Sequence, residues 1–177
     1  MEDMVMNEAL EDVPTETQAP EPPQWICQVD ASWISSRETT GLGFVIIDAG
    51  AAALFEAKRV NMTESPLHAE AEGLIWAMQE SLNRGYMSLH FESDCQQLVN
   101  LIQRDDEEWP ALAPELDEIK ALCTSFDTFS IAYVSRSLNI RADGLAKGVR
   151  SRDLRVPYLQ SCTPWWLAPV ANQMEAV

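Results

Sequence analysis

Three strand-like segments follow one another from residue 25 onward, before any helical pattern begins. They are WICQVDAS (25–32), GLGFVIID (41–48) and the segment 51–60, and Asp48 and Gly50 mark a turn between the last two. Neighbouring strands joined by such short connections pair in antiparallel fashion, because a parallel pair needs a longer crossover. The sequence therefore predicts an antiparallel meander that can receive helices on its faces.

Helices and strands alternate after this meander. Ser65 is a favourable N-cap, Pro66 suits the first helical position, and apolar residues then recur at helical spacing up to Leu82. Beyond this first helix the sequence predicts a strand at 88–93, helices at 94–104 and 111–126, a strand at 128–134 and a last helix at 139–150. The order βββαβααβα indicates an α/β fold, with a five-stranded mixed sheet and helices on both faces.

The charge of the chain is unevenly distributed. The 177 residues carry a formal net charge of −16, and residues 1–23 hold seven acidic residues, four prolines and no basic residue. Such a composition is typical of a disordered tail. We therefore predict a disordered acidic tail at 1–23, one domain at 24–152 and an irregular C-terminal tail at 153–177.

The composition disfavours several classes of protein. The excess of acidic residues argues against a polybasic binder of nucleic acid or membranes, although not against a nuclease whose carboxylates bind metal ions. Four cysteines without CxxC spacing argue against a zinc site or a disulfide framework and fit a reducing compartment. Without a membrane span or signal-peptide pattern, we expect an intracellular protein of the nucleus or cytoplasm, not a secreted one.

Four acidic residues stand out by their position in the predicted elements. Asp30 lies within an apolar strand, and Glu70 lies beside the apolar stripe of the first helix. Asp94 stands between a strand and a helix, and Asp143 lies one turn into the last helix. Taken singly, such acids are more often caps, turn residues or solvated helix residues. A group of them without Cys or His neighbours would favour a hard ion such as Mg²⁺ or Mn²⁺.

Other polar residues are weaker candidates. His68 lies two residues before Glu70 on another face of the helix, and we expect it at the surface. His90 alternates with apolar neighbours in a strand and is predicted to be structural. Basic residues gather around the last helix, where they either touch phosphates or form a solvated face: Arg136, Arg141, Lys147, Arg150 and Arg152.

Five sequence blocks occur in a characteristic order. They are VDASW (29–33), GLGFVIID (41–48), SPLHAEAEGLIWAM (65–78), ESDCQQLV (92–99) and SRSLNIRADGLAKGVR (135–150). Through these blocks the chain resembles, from about Trp25 to Arg152, a type 1 ribonuclease H domain of the plant reverse-transcriptase-like branch, which occurs in non-LTR retroelements and as stand-alone proteins. The family's element order matches the predicted one, so the resemblance implies the ribonuclease H-like fold.

The resemblance also implies a catalytic site. By motif, Asp30, Glu70, Asp94 and Asp143 match the acidic tetrad with which the family holds two divalent ions, Mg²⁺ or also Mn²⁺. Such a pair of ions activates a water and stabilises the charge of the phosphate. The implied activity is metal-dependent endonucleolytic cleavage of the RNA strand of RNA–DNA hybrids, in which the 2′-OH marks the strand to be cut.

Contacts to the nucleic acid are predicted at Gln96, Arg136 and Asn139. The sequence departs from the family near these positions. The histidine that many members carry in the loop before the last helix is absent, and the short loop offers Arg136 instead. Pro66 and Leu67 stand where the family has asparagines, and the acidic segment 105–108 replaces a basic handle. We therefore expect a low and salt-sensitive affinity for the hybrid.

Three functions stay open at the level of sequence. The first is the hybrid ribonuclease, acting as a monomer without membrane contact, with a separate reverse transcriptase or another protein as a further partner. The second is a retroelement-derived module with little or no activity that binds nucleic acid or a protein partner. The third is a nuclease for another structured nucleic acid. The intact tetrad favours the first, whereas the missing histidine, asparagines and basic handle favour the second.

Overall fold

The predicted order of strands and helices is confirmed in the computed structural model, which describes residues 25–48, 50–104, 108–151 and 158–160. Short 3₁₀ turns, Pro110–Leu112 and Arg136–Leu138, precede the last two helices. The elements are β1 (Trp25–Ser32), β2 (Thr40–Asp48), β3 (Ala51–Val60), α1 (Pro66–Asn83), β4 (Ser88–Ser93), α2 (Gln96–Gln103), α3 (Ala113–Cys123), β5 (Thr128–Tyr133), α4 (Ile140–Arg150) and β6 (Tyr158–Gln160). Within the described residues, no helix is long and apolar enough to cross a membrane.

The sheet is mixed, with strand order β5-β4-β1-β2-β3-β6. β1, β2 and β3 form the predicted antiparallel meander, while β4 pairs in parallel with β1 and β5 in parallel with β4. β1 thus stands where the antiparallel and the parallel halves of the sheet meet. The carboxyl ends of β1, β4 and β5 consequently lie at one edge of the sheet, where open α/β sheets commonly bind their ligands.

A sixth strand extends the predicted five-stranded sheet. β6 pairs in antiparallel fashion with residues 55–57 of β3, within the segment 153–177 that was predicted to be irregular. It satisfies backbone groups that an edge strand would otherwise leave unpaired. The other residues of this segment, 153–157 and 161–177, lie outside the described residues, as does the predicted tail at 1–23.

Helices cover both faces of the sheet, as predicted. The larger core packs α1, α2 and α3 against one face, and its fully buried side chains include Phe44, Leu74 and Leu98. α4 covers the other face, where Leu145 and Val149 pack against side chains of β2 and β3. Residues alternate between the two faces along β2, in accordance with the period of two of a strand.

Two glycines of β2 allow α4 to approach the sheet closely. A Cβ atom on Gly41 would lie 1.9 Å from the carbonyl oxygen of Ala146, and one on Gly43 would lie 2.7 Å from Cβ of Leu145. A side chain at either position would therefore push the helix outward. The close approach brings the first turn of α4, with Asp143, beside the end of β1.

Candidate metal centre

Backbone pairing brings Asp30 and Asp94 together. Val29 of β1 is paired with Ser93 of β4 in parallel register, so the residues that follow them stand side by side at the carboxyl ends of the two strands. The Asn139 side-chain amide donates a hydrogen bond to the Val29 carbonyl oxygen at 2.9 Å. The positions of the two acids therefore follow from the sheet and its anchors, not from attraction between their side chains.

Glu70 reaches this edge from the second turn of α1. The helix begins as predicted, with Ser65 as N-cap accepting a hydrogen bond from the His68 backbone at 3.1 Å and with Pro66 in the first turn. Carboxylate oxygens of Asp30, Glu70 and Asp94 all lie within 4.8 Å of one another. We call these three residues the carboxylate triad.

The members of the triad disfavour one another's negative charge. Burial, followed by the charges of Glu70 and Asp94, raises the pKa of Asp30 to about 10. Burial and the charge of Asp94 raise the pKa of Glu70 to about 8. Burial also raises the pKa of Asp94, against the opposing effect of the Arg136 guanidinium. A divalent cation would relieve this repulsion, and a donor set made only of carboxylate oxygens suits a hard ion such as Mg²⁺ or Mn²⁺.

Asp143 borders the same pocket but is already paired. The triad, Asp143, Arg136 and Lys147 line an open pocket of about 190 Å³. Lys147 Nζ lies 3.0 Å from Asp143 Oδ2. Among the described residues, Asp143 is not part of the group whose oxygens come within 4.8 Å of one another. All four predicted carboxylates thus surround one pocket, and three of them converge.

Comparison with known families identifies the family of this chain. A family model described as reverse transcriptase-like matches residues 28–149, which is more than half of the chain. The chain belongs to this reverse transcriptase-like family. No curated protein sequence matches it.

Solved structures similar to the reverse transcriptase-like domain include ribonucleases H and a viral protease-reverse transcriptase. RNase H1 from the halophilic archaeon Halobacterium salinarum is 23% identical, with a TM-score of 0.66 over 71% of this chain and 96% of that one. LC11-RNase H1 in complex with an RNA/DNA hybrid is 21% identical, with a TM-score of 0.65 over 72% and 96%. The prototype foamy virus protease-reverse transcriptase is 13% identical, with a TM-score of 0.58 over 77% of this chain and 22% of that one. These similarities confirm the ribonuclease H-like fold.

The three predicted substrate contacts differ in their placement. Gln96 is exposed at the first position of α2, close in sequence to the triad. The Arg136 side chain is 87% exposed, and its Nε lies 3.9 Å from Asp94 Oδ2. Asn139, in contrast, is fully buried and joins the start of α4 to β1. Its side-chain amide holds β1, and the predicted contact of Asn139 to a substrate stays a prediction.

The basic residues around α4 of the reverse transcriptase-like domain do not form one solvated face. Arg141 is buried, and Arg150 Nε donates a hydrogen bond to Ser32 Oγ at 2.7 Å. Lys147 enters the pocket, as described above, and Arg152 lies outside the described residues. The i,i+4 spacing of Asp143 and Lys147 is the signal by which their pairing could have been found in the sequence.

His68 corrects a further expectation. It was predicted at the surface but is 8% exposed, with Nδ1 2.7 Å from Ser65 Oγ and Nε2 2.9 Å from the Ala111 carbonyl oxygen. The ring thus ties the start of α1 to the segment before α3, within the reverse transcriptase-like domain. Sequence reasoning missed this role because Ala111 is 43 residues away.

Proposed function

We propose that the domain is a metal-dependent endonuclease that cleaves the RNA strand of RNA–DNA hybrids. The observation that carries this proposal is the convergence of Asp30, Glu70 and Asp94 at the sheet edge, in a pocket that Asp143 also borders. Membership of the reverse transcriptase-like family supports it. So does the similarity in fold to an RNase H1 that was solved with an RNA/DNA hybrid.

The donor set fits divalent cations. The triad would hold a first Mg²⁺ or Mn²⁺ ion, and Asp143 would contribute to a second position. Divalent ions bound in such a site supply a water of lowered pKa and charge stabilisation at the phosphate. Since Asp30 is only 4% exposed, its carboxylate is held by β1 and is withdrawn from bulk water.

The remaining residues of the pocket would orient the substrate. Arg136 extends from the 3₁₀ turn before α4 into solvent beside Asp94, where its guanidinium can contact a phosphate of the cleaved strand. Gln96 is exposed at the start of α2, and its side-chain amide can donate a hydrogen bond to, or accept one from, the sugar of a bound nucleotide. The hybrid is expected to bind weakly at high salt, because few basic residues are available to contact its phosphates.

Cleavage of a labelled RNA–DNA hybrid with Mg²⁺, Mn²⁺ or EDTA tests the proposal, with duplex DNA and duplex RNA alongside. We expect hybrid-specific cleavage that EDTA stops and that Asp30→Asn and Asp94→Asn abolish. Asp48→Asn is the matched control, because Asp48 is an exposed acid at the opposite end of β2. Variants of Asp30 and Asp94 that cleave as well as the wild type would contradict the proposal.

A second candidate is a binding module of the same fold with weak or no catalysis. The specific observation in its favour is the ion pair between Lys147 and Asp143. Only the other three carboxylates converge among the described residues. The same assay separates the two functions. A folded chain that binds the hybrid but does not cut it, at high protein and low salt, would favour the module.

A further inference from the structure

Lys147 places a positive charge in the carboxylate pocket. Its Nζ lies 3.0 Å from Asp143 Oδ2, and the two side chains are 59% and 26% exposed, respectively. An Asp–Lys pair at i,i+4 on a helix surface is common and weak. This pair differs from such surface pairs because both residues line the pocket of the triad.

The pocket is therefore electrostatically asymmetric. Asp143 has its own counter-charge, and Asp94 has a more distant one in Arg136, whose Nε lies 3.9 Å away. For Asp30 and Glu70, the described part of the chain provides no basic side chain within ion-pair distance. A divalent ion held by the triad meets two carboxylates without an ion-pair partner among the described residues, Asp30 and Glu70, and one with a distant partner, Asp94, whereas an ion that uses Asp143 meets a close ion pair.

We propose that Lys147 acts as an internal counter-cation for Asp143 and thereby weakens binding of the second divalent ion. This inference rests on the proposed function, because it takes the pocket to bind divalent ions. An ion that uses Asp143 must displace the ammonium group and then stay near a like charge, while the triad ion leaves the pair intact. Lys147 is thus a positioning residue that sets the metal concentration at which the second position fills.

Calorimetric titration of the full chain with Mn²⁺ tests the proposal without relying on catalysis. Lys147→Met retains the length of the side chain and removes its charge. A unit charge beside a divalent ion changes the affinity by about tenfold even in a high dielectric. We therefore expect the weaker of two binding events to strengthen by about tenfold in Lys147→Met, while the tighter event keeps its affinity. If the weaker binding event is detectable in Lys147→Met but not in the wild type, this outcome also supports the proposal.

Two control variants separate a local effect from a general one. Lys120→Met removes one positive charge from an exposed position of α3, a helix that contributes no residue to the lining of the pocket, and should change neither event. The double variant Asp143→Asn/Lys147→Met should lose the gain, because the second ion would lack its carboxylate. Matching circular dichroism spectra and melting temperatures verify that all variants are folded.

Three results would overturn the proposal: equal affinities of the weaker event in wild type and Lys147→Met, an equal gain in Lys120→Met, or a gain that persists in the double variant. Failure of the proposed function gives a different result. In that case the wild type shows no Mn²⁺ binding event that Asp30→Asn removes. The titration therefore distinguishes a wrong role for Lys147 from a wrong function for the pocket.

Discussion

Two buried carboxylates in this domain have opposite surroundings. Glu56 on β3 is 3% exposed, and Arg84 Nε lies 3.7 Å from its Oε2, so the protein supplies a counter-charge. Asp30 on β1 is 4% exposed and has two other carboxylates as its charged neighbours within the triad. The pKa of Glu56 is raised to about 7, mainly by burial, while that of Asp30 is raised to about 10.

The difference indicates which acid serves structure and which serves a ligand. A buried charge costs several kcal/mol unless a partner compensates it. At Glu56, Arg84 supplies a partial compensation within the fold, against burial and the charge of Glu80. At Asp30 the fold adds further negative charge, so compensation comes either from a bound proton, as the raised pKa reflects, or from a cation, as we propose. Substitutions at the two positions should therefore differ in their effects on activity and on the response to metal ions.

The largest expected contrast is in catalysis. Asp30→Asn should reduce the rate of hybrid cleavage by about a thousandfold or more, because the triad loses a charged ligand. Glu56→Gln should leave the rate within about twofold, since its local interactions lie outside the pocket. Cleavage rates at saturating Mg²⁺ measure both effects. Comparable losses in the two variants would remove the distinction between a ligand acid and a structural acid.

Metal binding should raise thermal stability only where the triad is intact. At 100 times its dissociation constant, a ligand of the native state contributes about 2.7 kcal/mol. This corresponds to a rise of several degrees in Tm for a domain of this size. We expect the rise in the wild type and in Glu56→Gln, but not in Asp30→Asn, as measured by scanning calorimetry with Mn²⁺ or EDTA. A rise of equal size in Asp30→Asn would place the bound ion elsewhere.

The change of the unfolding free energy with pH should reflect the protonation of Glu56. Its pKa rises from the ordinary value of 4.5 to about 7, so the folded state binds more protons than the unfolded state between these values. The stabilisation is full below pH 4.5 and is lost as the pH rises toward 7. The difference in unfolding free energy between wild type and Glu56→Gln should therefore change by about 1 kcal/mol per pH unit in this window.

Urea unfolding at pH 4.5, 5.5 and 6.5 measures this slope. Each pH is compared between the two proteins, so the contributions of other titrating groups cancel. If the unfolding free energies of wild type and Glu56→Gln changed in parallel with pH, Arg84 would keep Glu56 ionised throughout this pH range. In that event the contrast between the two buried acids would be larger than the raised pKa of Glu56 implies.

Local patterns were sufficient to predict the five strands β1–β5 and the four helices of this fold, but not β6. The N-cap Ser65 with Pro66 marks the start of α1, and the continuous apolar run in β2 indicates a strand that is buried on both faces. Both signals depend on neighbours within a few residues. Asp30 within an apolar strand was informative for the same reason, because a charge there requires an explanation.

Contacts between distant residues could not be predicted in this way. The Asn139 amide bonds a carbonyl 110 residues away, and β6 pairs with β3 across about 100 residues of sequence. Convergence of the triad depends on the parallel register of β1 and β4, which spacing does not encode. The family resemblance supplied that step, but it did not reveal that Lys147 neutralises Asp143.

The smallest predicted effect is on the unfolding free energy of the metal-free protein when Asp30 is replaced. Without metal at pH 8, Asp30→Asn should unfold with a free energy at least about 1 kcal/mol higher than the wild type. Burial and the neighbouring carboxylates, chiefly Glu70 and Asp94, make the ionised form of Asp30 costly in the folded state, and the neutral amide avoids this cost. Because the pKa of Asp30 is raised, the gain should shrink as the pH falls toward 4, where the unfolded state also binds the proton.

Saturating Mn²⁺ should reverse the order, since only the wild type gains the binding energy of the ion. Urea denaturation at pH 8 and pH 5, with EDTA or Mn²⁺, measures all four conditions. Asp48→Asn is the control, because an exposed acid at the far end of β2 should show neither the gain nor the reversal. If Asp30→Asn is less stable than the wild type in EDTA, the triad acids stabilise the fold themselves, and an external cation is no longer needed to explain them.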